Sequence, residues 1–597
     1  MKGRPTIAVA VLACLLAAGC GRQDDAEPRL ARGERPQPVE LLLRDGRPDP
    51  TVLAERQVLH RGNGDEPRTL DPHLAEGVPA AHVLRDLFEG LTSEAADGTV
   101  VPGAAARWNI SRDGLTYTFY LRRDATWSNG DPLRAEDFVY SLRRSASPAT
   151  ASNYAQVLLP IENAAAVLAG TRPASALGVE ALDDYTLQIR LVSPTPYFLG
   201  LLAHNSTYPV HRASVEAHGD RFSRPGNLVS NGAFTLTDWQ VRARIELTKN
   251  PRYWDADNVM LERVYYYPIE DQSTELKRYR AGELHWTYEV PNNQFAWLEQ
   301  NLPGELVVTP WLGSYFFGYN LTRPPFRDAP RLRTALAMAV DRDILVEKVT
   351  QFGEEPAYAL VPPGIGDYVP QAPEWAAWTQ AERDEEARRL YAAAGYGEED
   401  PLRVELRYNT SENHKKIALA VASMWKQALG VRVTLVNEEW KVFLQNREQK
   451  AVTEVFRAGW IGDYSDPFTF LELFRTGHGR NDYGYSDPIY DALLEQVASE
   501  RIPARRRRLM EEAERMLMED MPIIPVYTYV TKRLVDPRLK GWDNNIMDHH
   551  RSKDMFLLRS RAPGEATAPV AAPDTGAPAP EAGGDAPAPA EGPEAGA

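Results

Sequence analysis

Eight consecutive residues, Arg457-Ala458-Gly459-Trp460-Ile461-Gly462-Asp463-Tyr464, combine groups that could hold a small charged guest. Trp460 offers a flat apolar surface. Asp463 is a carboxylate, an acceptor for an ammonium group. Gly459 and Gly462 would let a guest's backbone approach the chain. The octet follows an apolar run and precedes Ser465-Asp466-Pro467, so it reads as a strand end entering a loop. From composition alone, a buried Trp beside a turn-capping Asp would look the same. Signals for bond-breaking chemistry are missing: there is no H-E-x-x-H, no G-x-S-x-G, no Walker loop and no G-x-G-x-x-G. No cysteine follows Cys20, and the 11 histidines show no metal-ligand spacing. No metal, no cofactor and no enzyme activity are therefore expected. A Ser/His/Asp site gathered from distant segments stays open, with an exported hydrolase as the competing reading.

The scaffold for such a site is large. A chain of 597 residues exceeds one core, so two to four domains are expected. Its 43% hydrophobic and 25% charged content is ordinary for a globular protein, and a net charge of −16 argues against a nucleic-acid partner. The basic helix Arg505 to Met518 mixes signs and reads as a solvated face. At the start, Lys2 and Arg4 precede the apolar run Ile7 to Ala18, too short to cross a membrane and suited to a secretory segment. It ends Leu16-Ala17-Ala18-Gly19-Cys20, where small residues before a cysteine suggest lipid attachment at Cys20; a plain signal peptide is the other reading. Residues 1–20 are assigned as the signal peptide and 21–51 as a tether. Residues 562–597 hold six acidic and no basic residues among Ala, Pro and Gly, and are expected to be disordered.

Between these ends, Ala81 to Leu91 has the apolar spacing of an amphipathic helix, and Tyr117, Phe119 and Leu121 alternate at the strand period. Asn129-Gly130 is a turn feeding a helix that carries Glu136 and Asp137 in its first turn. Val404 to Tyr408, a helix from His414 to Leu429 stopped by Gly430, and Val431 to Leu435 form a βαβ unit, hence parallel sheet. Trp440, Leu444 and Arg447 share one helix face.

Several segments resemble one family. Leu70-Asp71-Pro72, Trp127-Ser128-Asn129-Gly130-Asp131-Pro132 followed by Asp137-Phe138-Val139, Pro251-Arg252-Tyr253-Trp254, Phe326-Arg327-Asp328 leading to Asp341-Arg342, and Arg-Ala-Gly-Trp-x-x-Asp-Tyr itself are similar to the extracellular solute-binding proteins of family 5, the oligopeptide receptors of ABC importers. The resemblance spans roughly residues 52 to 558. It implies an α/β, two-lobed periplasmic-binding-protein fold (type II-like, cluster C) with an extra domain and mixed sheets flanked by helices, closing by a hinge over a central cleft. Residues 52–88, 213–314 and 530–558 would form lobe I, 89–212 the extra domain II, and 315–529 lobe III. Asp463 would take a peptide's α-ammonium, and backbone around Gly459 and Ile461 would pair with its main chain. Trp440, Leu444, Trp460, Tyr154, Tyr288 and Tyr529 would line the site, as would Glu76 and Val78. His414, Arg447, Arg457 and Lys348 would meet carboxylates at different depths; solvated helix charges are the competing reading of the first three, and a helix-surface lysine accounts equally well for Lys348. Some relatives carry a cysteine pair at the positions of Gly313 and Ile461, and both partners are missing here. The implied partners are a short peptide, the permease and ATPase subunits of an importer, and a lipid through Cys20, with a monomeric protein in the periplasm or at the cell surface. A dipeptide, a murein peptide or another solute is the alternative cargo.

Overall fold

The computed structural model describes residues 38–561 apart from Asp45 and residues 451–453. Cys20 with its leader, the first part of the tether and the tail from 562 lie outside the described residues. Three sheets organise the chain. Strand β1 (Val58–Gly62) leads to helix α1 (Val78–Leu87). The helix starts before the expected Ala81 because Pro79 sits in its first turn, where a missing N–H costs nothing. It ends before Leu91 because Phe88 is extended (φ −128°, ψ 158°) and the Leu87 carbonyl accepts the Gly232 N–H at 2.9 Å.

The second sheet is built from β2 (Ala105–Ile110), β3 (Thr116–Leu121), β4 (Val179–Asp183) and β5 (Thr186–Arg190), all antiparallel in the order β2-β3-β5-β4. Helix α2 (Ala135–Ala146) packs on it. Its entry is fixed by Gly130 at φ 98° and by the Asp137 carboxylate, which accepts the Arg134 N–H at 2.8 Å and the Trp127 indole at 3.2 Å. The chain then returns to complete the first sheet with β6 (Phe234–Gln240), β7 (Arg244–Lys249) and β8 (Arg263–Tyr267), in the order β6-β7-β8-β1 with β8 parallel to β1. One buried cluster, including Leu59, Leu87, Phe119, Phe138, Leu187 and Ile245, joins both sheets.

The third sheet holds β9 (Leu306–Tyr319), β10 (Arg403–Asn409), β11 (Arg432–Glu438), β12 (Val455–Ile461) and β13 (Ile523–Leu534), with a short strand Glu355–Pro356 at one edge. From that edge the order is β13-β9-β12-β10-β11. The βαβ unit is present: α3 (Glu412–Leu429) connects parallel β10 and β11, and Gly430 at φ 74° ends it with its N–H on the Lys426 carbonyl. Helix α4 (Trp440–Gln449) precedes β12, and α5 (Pro503–Asp520) precedes β13. Alternation along β9 feeds two cores: Tyr315, Phe317 and Tyr319 meet Leu336 and Trp425, whereas Leu312 and Phe316 meet Phe456 and Phe474.

Strands β9 and β13 also join the third sheet to the first. They pair from Leu306 opposite Leu534 to Pro310 opposite Val530, lose register, and resume at Ser314 opposite Thr528. In the bulge, Leu312 donates its N–H to Ile546 (2.7 Å) and accepts that of Gly462 (2.8 Å). Beyond β13, the Leu534 carbonyl accepts the Thr287 N–H at 3.0 Å. Part of the stretch expected as tether is docked: Val39 is buried with Val52, Phe556 and Leu558, and its N–H reaches the Arg559 carbonyl at 3.2 Å, while Glu40 to Arg44 stay exposed. An apolar residue at position 39 had a groove to fill, which a composition-based reading of a Pro-rich stretch missed.

Arg342 locks the third sheet to its helices. It is fully buried, and donates Nε to the Ala357 and Pro525 carbonyls and Nη1 to those of Ala337 and Val340, at 2.9 to 3.0 Å. Replacing Arg342→Ala strands these acceptors and should lower unfolding free energy by at least about 3 kcal/mol in a denaturant titration.

Candidate functional site

Strand β12 is the wall from which the site is built. Its whole length pairs with β9 on one side, Val455 to Ile461 opposite Tyr319 to Gly313. On the other side β10 reaches only Val455 and Phe456. From Arg457 to Ile461 that second edge has no strand partner among the described residues, which leaves a row of main-chain groups available for an added strand. The two glycines act differently from expectation. A Cβ on Gly459 would lie 2.8 Å from the Tyr529 hydroxyl and 3.0 Å from the Ser314 carbonyl, and one on Gly462 would lie 2.8 Å from the Leu312 side chain. Their missing side chains make room for the protein's own packing. Gly313 stands directly opposite Ile461, and a Cβ there would overlap the isoleucine, so an aliphatic side chain occupies the space a cystine would take.

Asp463 follows the strand. Thr469 holds both neighbours of the turn, its hydroxyl accepting the Asp463 N–H and the Trp460 indole N–H at 3.2 Å each. The carboxylate is 17% exposed, and His204 lies beside it, with Nε2 at 4.0 Å from Oδ1. That histidine accepts the Ser206 N–H at Nδ1 (3.3 Å), capping a short turn. Burial, with help from the cation Arg85, pushes its imidazolium down to about 3, so it is neutral at physiological pH. Burial pushes the Asp463 carboxyl up to about 7, against partial opposition from Arg480. Tyr154 closes this end: its ring packs on His204 at 5.2 Å, and burial together with the Asp463 charge raises its phenol. The enclosed carboxylate thus lacks a full counter-charge.

A second polar group sits behind β12. Arg457 Nη2 donates to the Tyr529 hydroxyl at 2.6 Å, and its guanidinium lies 5.0 Å over the Tyr315 ring. The His414 ring packs on Tyr315 at 5.6 Å, and burial plus the charges of Arg457 and Lys532 hold it well below the ordinary imidazole range. Arg447 does not join them. It is buried against Asp482 (2.5 Å) and lies over Phe443 and Phe456, because Asp482, 35 residues on in sequence, supplies the counter-charge that spacing could not reveal.

The other expected residues are spread along the molecule. Glu76 accepts Asn153 Nδ2 at 2.6 Å and lies 3.9 Å from Arg480. Val78 opens α1, half-buried. Tyr288 donates its N–H to Glu275 at 2.7 Å and packs edge-on to His82 at 6.0 Å. Trp440 is 41% exposed and stacks on Phe443, with Leu444 half-buried on the same helix. Lys348 is 71% exposed beside Glu347, at an open pocket of about 600 Å³ that Phe295, Val346, Gln351 and Glu354 also line. Sequence reasoning missed His204, which is distant in sequence from Asp463, and Arg480, which follows it by 17 residues; neither belongs to a motif, and only their charged or titratable side chains could have flagged them.

Comparison with known proteins gives these features a context. A family model described as "Bacterial extracellular solute-binding proteins, family 5 Middle" matches residues 99–482. The chain belongs to this family. It is 43% identical over 516 residues to the periplasmic oligopeptide-binding protein OppA of Escherichia coli, covering 86% of this chain and 94% of that one. The Haemophilus influenzae OppA structure, in complex with the peptide RPPGFSPFR, superposes with a TM-score of 0.81 at 38% identity, over 85% of this chain and 100% of that one. The murein tripeptide-binding protein MppA of Escherichia coli gives a TM-score of 0.82 at 41% identity over 85% and 100%, and in its unliganded open form 0.66 at 41% over 85% and 98%. The present arrangement is thus nearer the first MppA form than the open one. The mixed α/β, two-lobed fold expected from sequence is the fold found.

A carboxyl at about 7 would make capture of a cationic guest at this position pH-dependent. A bound ammonium favours the charged form, so binding below pH 7 must release a proton. Affinity for a peptide should therefore fall as pH drops from 7 toward 5, by up to about tenfold per unit, and fall again above about 8, where the peptide's own α-ammonium loses its proton. Calorimetry in two buffers of different ionisation heat reads both the acid-side slope and the proton release, and Asp463→Asn should abolish both.

Proposed function

We propose that this protein is an exported receptor that captures short peptides by their leading ammonium and main chain, with little regard for side chains, and delivers them unaltered to the permease and ATPase subunits of an ABC importer. The observation that carries this reading is the pairing of an enclosed, incompletely neutralised Asp463 with the open edge of β12 beside it. Every peptide has one α-ammonium and a repeating N–H and C=O ladder. A receptor indifferent to sequence fixes those two and leaves side chains to roomy, wet surroundings. Tyr154 and Trp460 wall the ammonium end, and Tyr529, Arg457 and His414 suit the carboxylate of a short ligand. Trp440, Leu444, Tyr288, Glu76 and Val78 belong to the walls in this reading, and Lys348 with its pocket suits the end of a longer ligand. Closure about β9 and β13 buries the guest and signals the importer. Cys20 carries the lipid that keeps the monomeric receptor at the membrane.

Binding of a tripeptide, followed calorimetrically, tests the reading. Asp463→Ala should weaken it by about 2–5 kcal/mol without loss of folding. N-acetylation of the peptide should weaken binding to the wild type and add little in the variant. Unchanged affinity in either comparison would contradict the assignment. The peptide should be recovered intact, and mass spectrometry of what co-purifies should show a mixture of short peptides rather than one defined solute. Cys20→Ser should move the protein from the membrane to the soluble envelope fraction.

A further inference from the structure

One cation at the ammonium end has no place in the peptide contacts above. Arg480 lies in the loop between Phe474 and Tyr485, on the side of the molecule built around the third sheet. Its Nη1 is 3.9 Å from Glu76, which precedes α1 in the first-sheet body, and 3.9 Å from Glu448 on α4. Asn153, from the second-sheet segment, donates to the other oxygen of Glu76 at 2.6 Å. The neighbouring Gly479 abuts Gln156, since a Cβ there would come within 2.7 Å of the Gln156 amide oxygen. All three sheet bodies therefore converge on this point.

The loop is pinned on both flanks of the arginine. Asn481 donates to the Arg475 and Tyr485 carbonyls at 3.1 and 2.7 Å and accepts the Gly484 and Tyr485 N–H groups at 3.0 and 3.1 Å. Asp482 is held by Arg447. Such anchoring fixes the Arg480 backbone before the cleft closes, so little loop entropy is lost when the side chain meets its partner. The Arg480 side chain is only 13% exposed and Glu76 22%, so solvent screens the pair less than a surface one. Two carboxylates hold the guanidinium, which keeps it from becoming the full partner of Asp463 and leaves that acid for the guest.

We propose that Arg480 is the closing contact of the cleft: its ion pair with Glu76 joins the two halves around the ligand and governs how slowly the ligand leaves. Arg447, deprived of a ligand-facing role by Asp482, acts here as the residue that positions the loop. The inference rests on the peptide-receptor reading only for the choice of ligand.

Stopped-flow dissociation of a fluorescently labelled tripeptide tests it. Arg480→Gln and Glu76→Gln should each raise the off-rate about fivefold at low salt, and the double variant should be no worse than either single one. The exchanged pair Glu76→Arg with Arg480→Glu should recover part of the loss, which a merely structural role would not allow. Off-rates equal to the wild type, additive effects, or failure of the exchange would overturn the proposal. If the wild type holds no tripeptide, the peptide reading falls, and small-angle scattering of the protein as purified still reads the latch. Arg480→Gln should then give a larger radius of gyration than the wild type, and equal radii would overturn it.

Discussion

A carboxylate taken out of water without a full counter-charge is the constraint around which this molecule is arranged. Asp463 is enclosed beside His204 and Tyr154, and burial shifts it from the acid range to about 7. An enclosed group of this kind costs free energy until something supplies the charge. The neighbours are chosen so that nothing in the protein does so completely. The His204 ring is neutral because it is buried near Arg85, and Arg480 is engaged by Glu76 and Glu448. In the proposed reading the missing charge is left to the ligand, so that closing the cleft on an amine would be favoured over closing it empty.

The scaffold explains how such a group can be both enclosed and accessible. Asp463 sits at the end of β12, in the body built on the third sheet, while Tyr154 and His204 come from the segment around the second sheet. Two strands, β9 and β13, link the halves, and both lose register near Trp311 to Gly313, where a bulge lets paired strands bend without losing their ladder. The core divides accordingly: one cluster unites the first two sheets, and two others line opposite faces of the third. A motion about β9 and β13 would leave the larger part of each cluster undisturbed.

Local patterns carried much of this into the sequence. The βαβ unit around α3, the Asn129-Gly130 turn and the Gly430 stop were readable because turn chemistry and hydrophobic period act within a few residues. The Trp460–Asp463 turn was readable because four informative residues stand together. Contacts between segments that lie apart in sequence were not. Arg447 shares a helix face with Trp440, yet its charge is committed to Asp482; Gly459 looked like space for a guest and is space for Tyr529; the stretch around Val39 looked like tether and is packed against Leu558. Resemblance supplied positions where physics alone left alternatives, and His204 and Arg480, outside every motif, emerged only with the three-dimensional arrangement.

The most direct measurement is a high-resolution crystal structure of the protein loaded with a tripeptide. The peptide nitrogen should lie about 2.7–2.9 Å from an Asp463 carboxylate oxygen, the distance of a charge-assisted hydrogen bond, with the first peptide units paired to the open edge of β12. A ligand bound in the reverse direction, or with its amine in solvent and Asp463 left facing His204 alone, would contradict the electrostatic basis of capture.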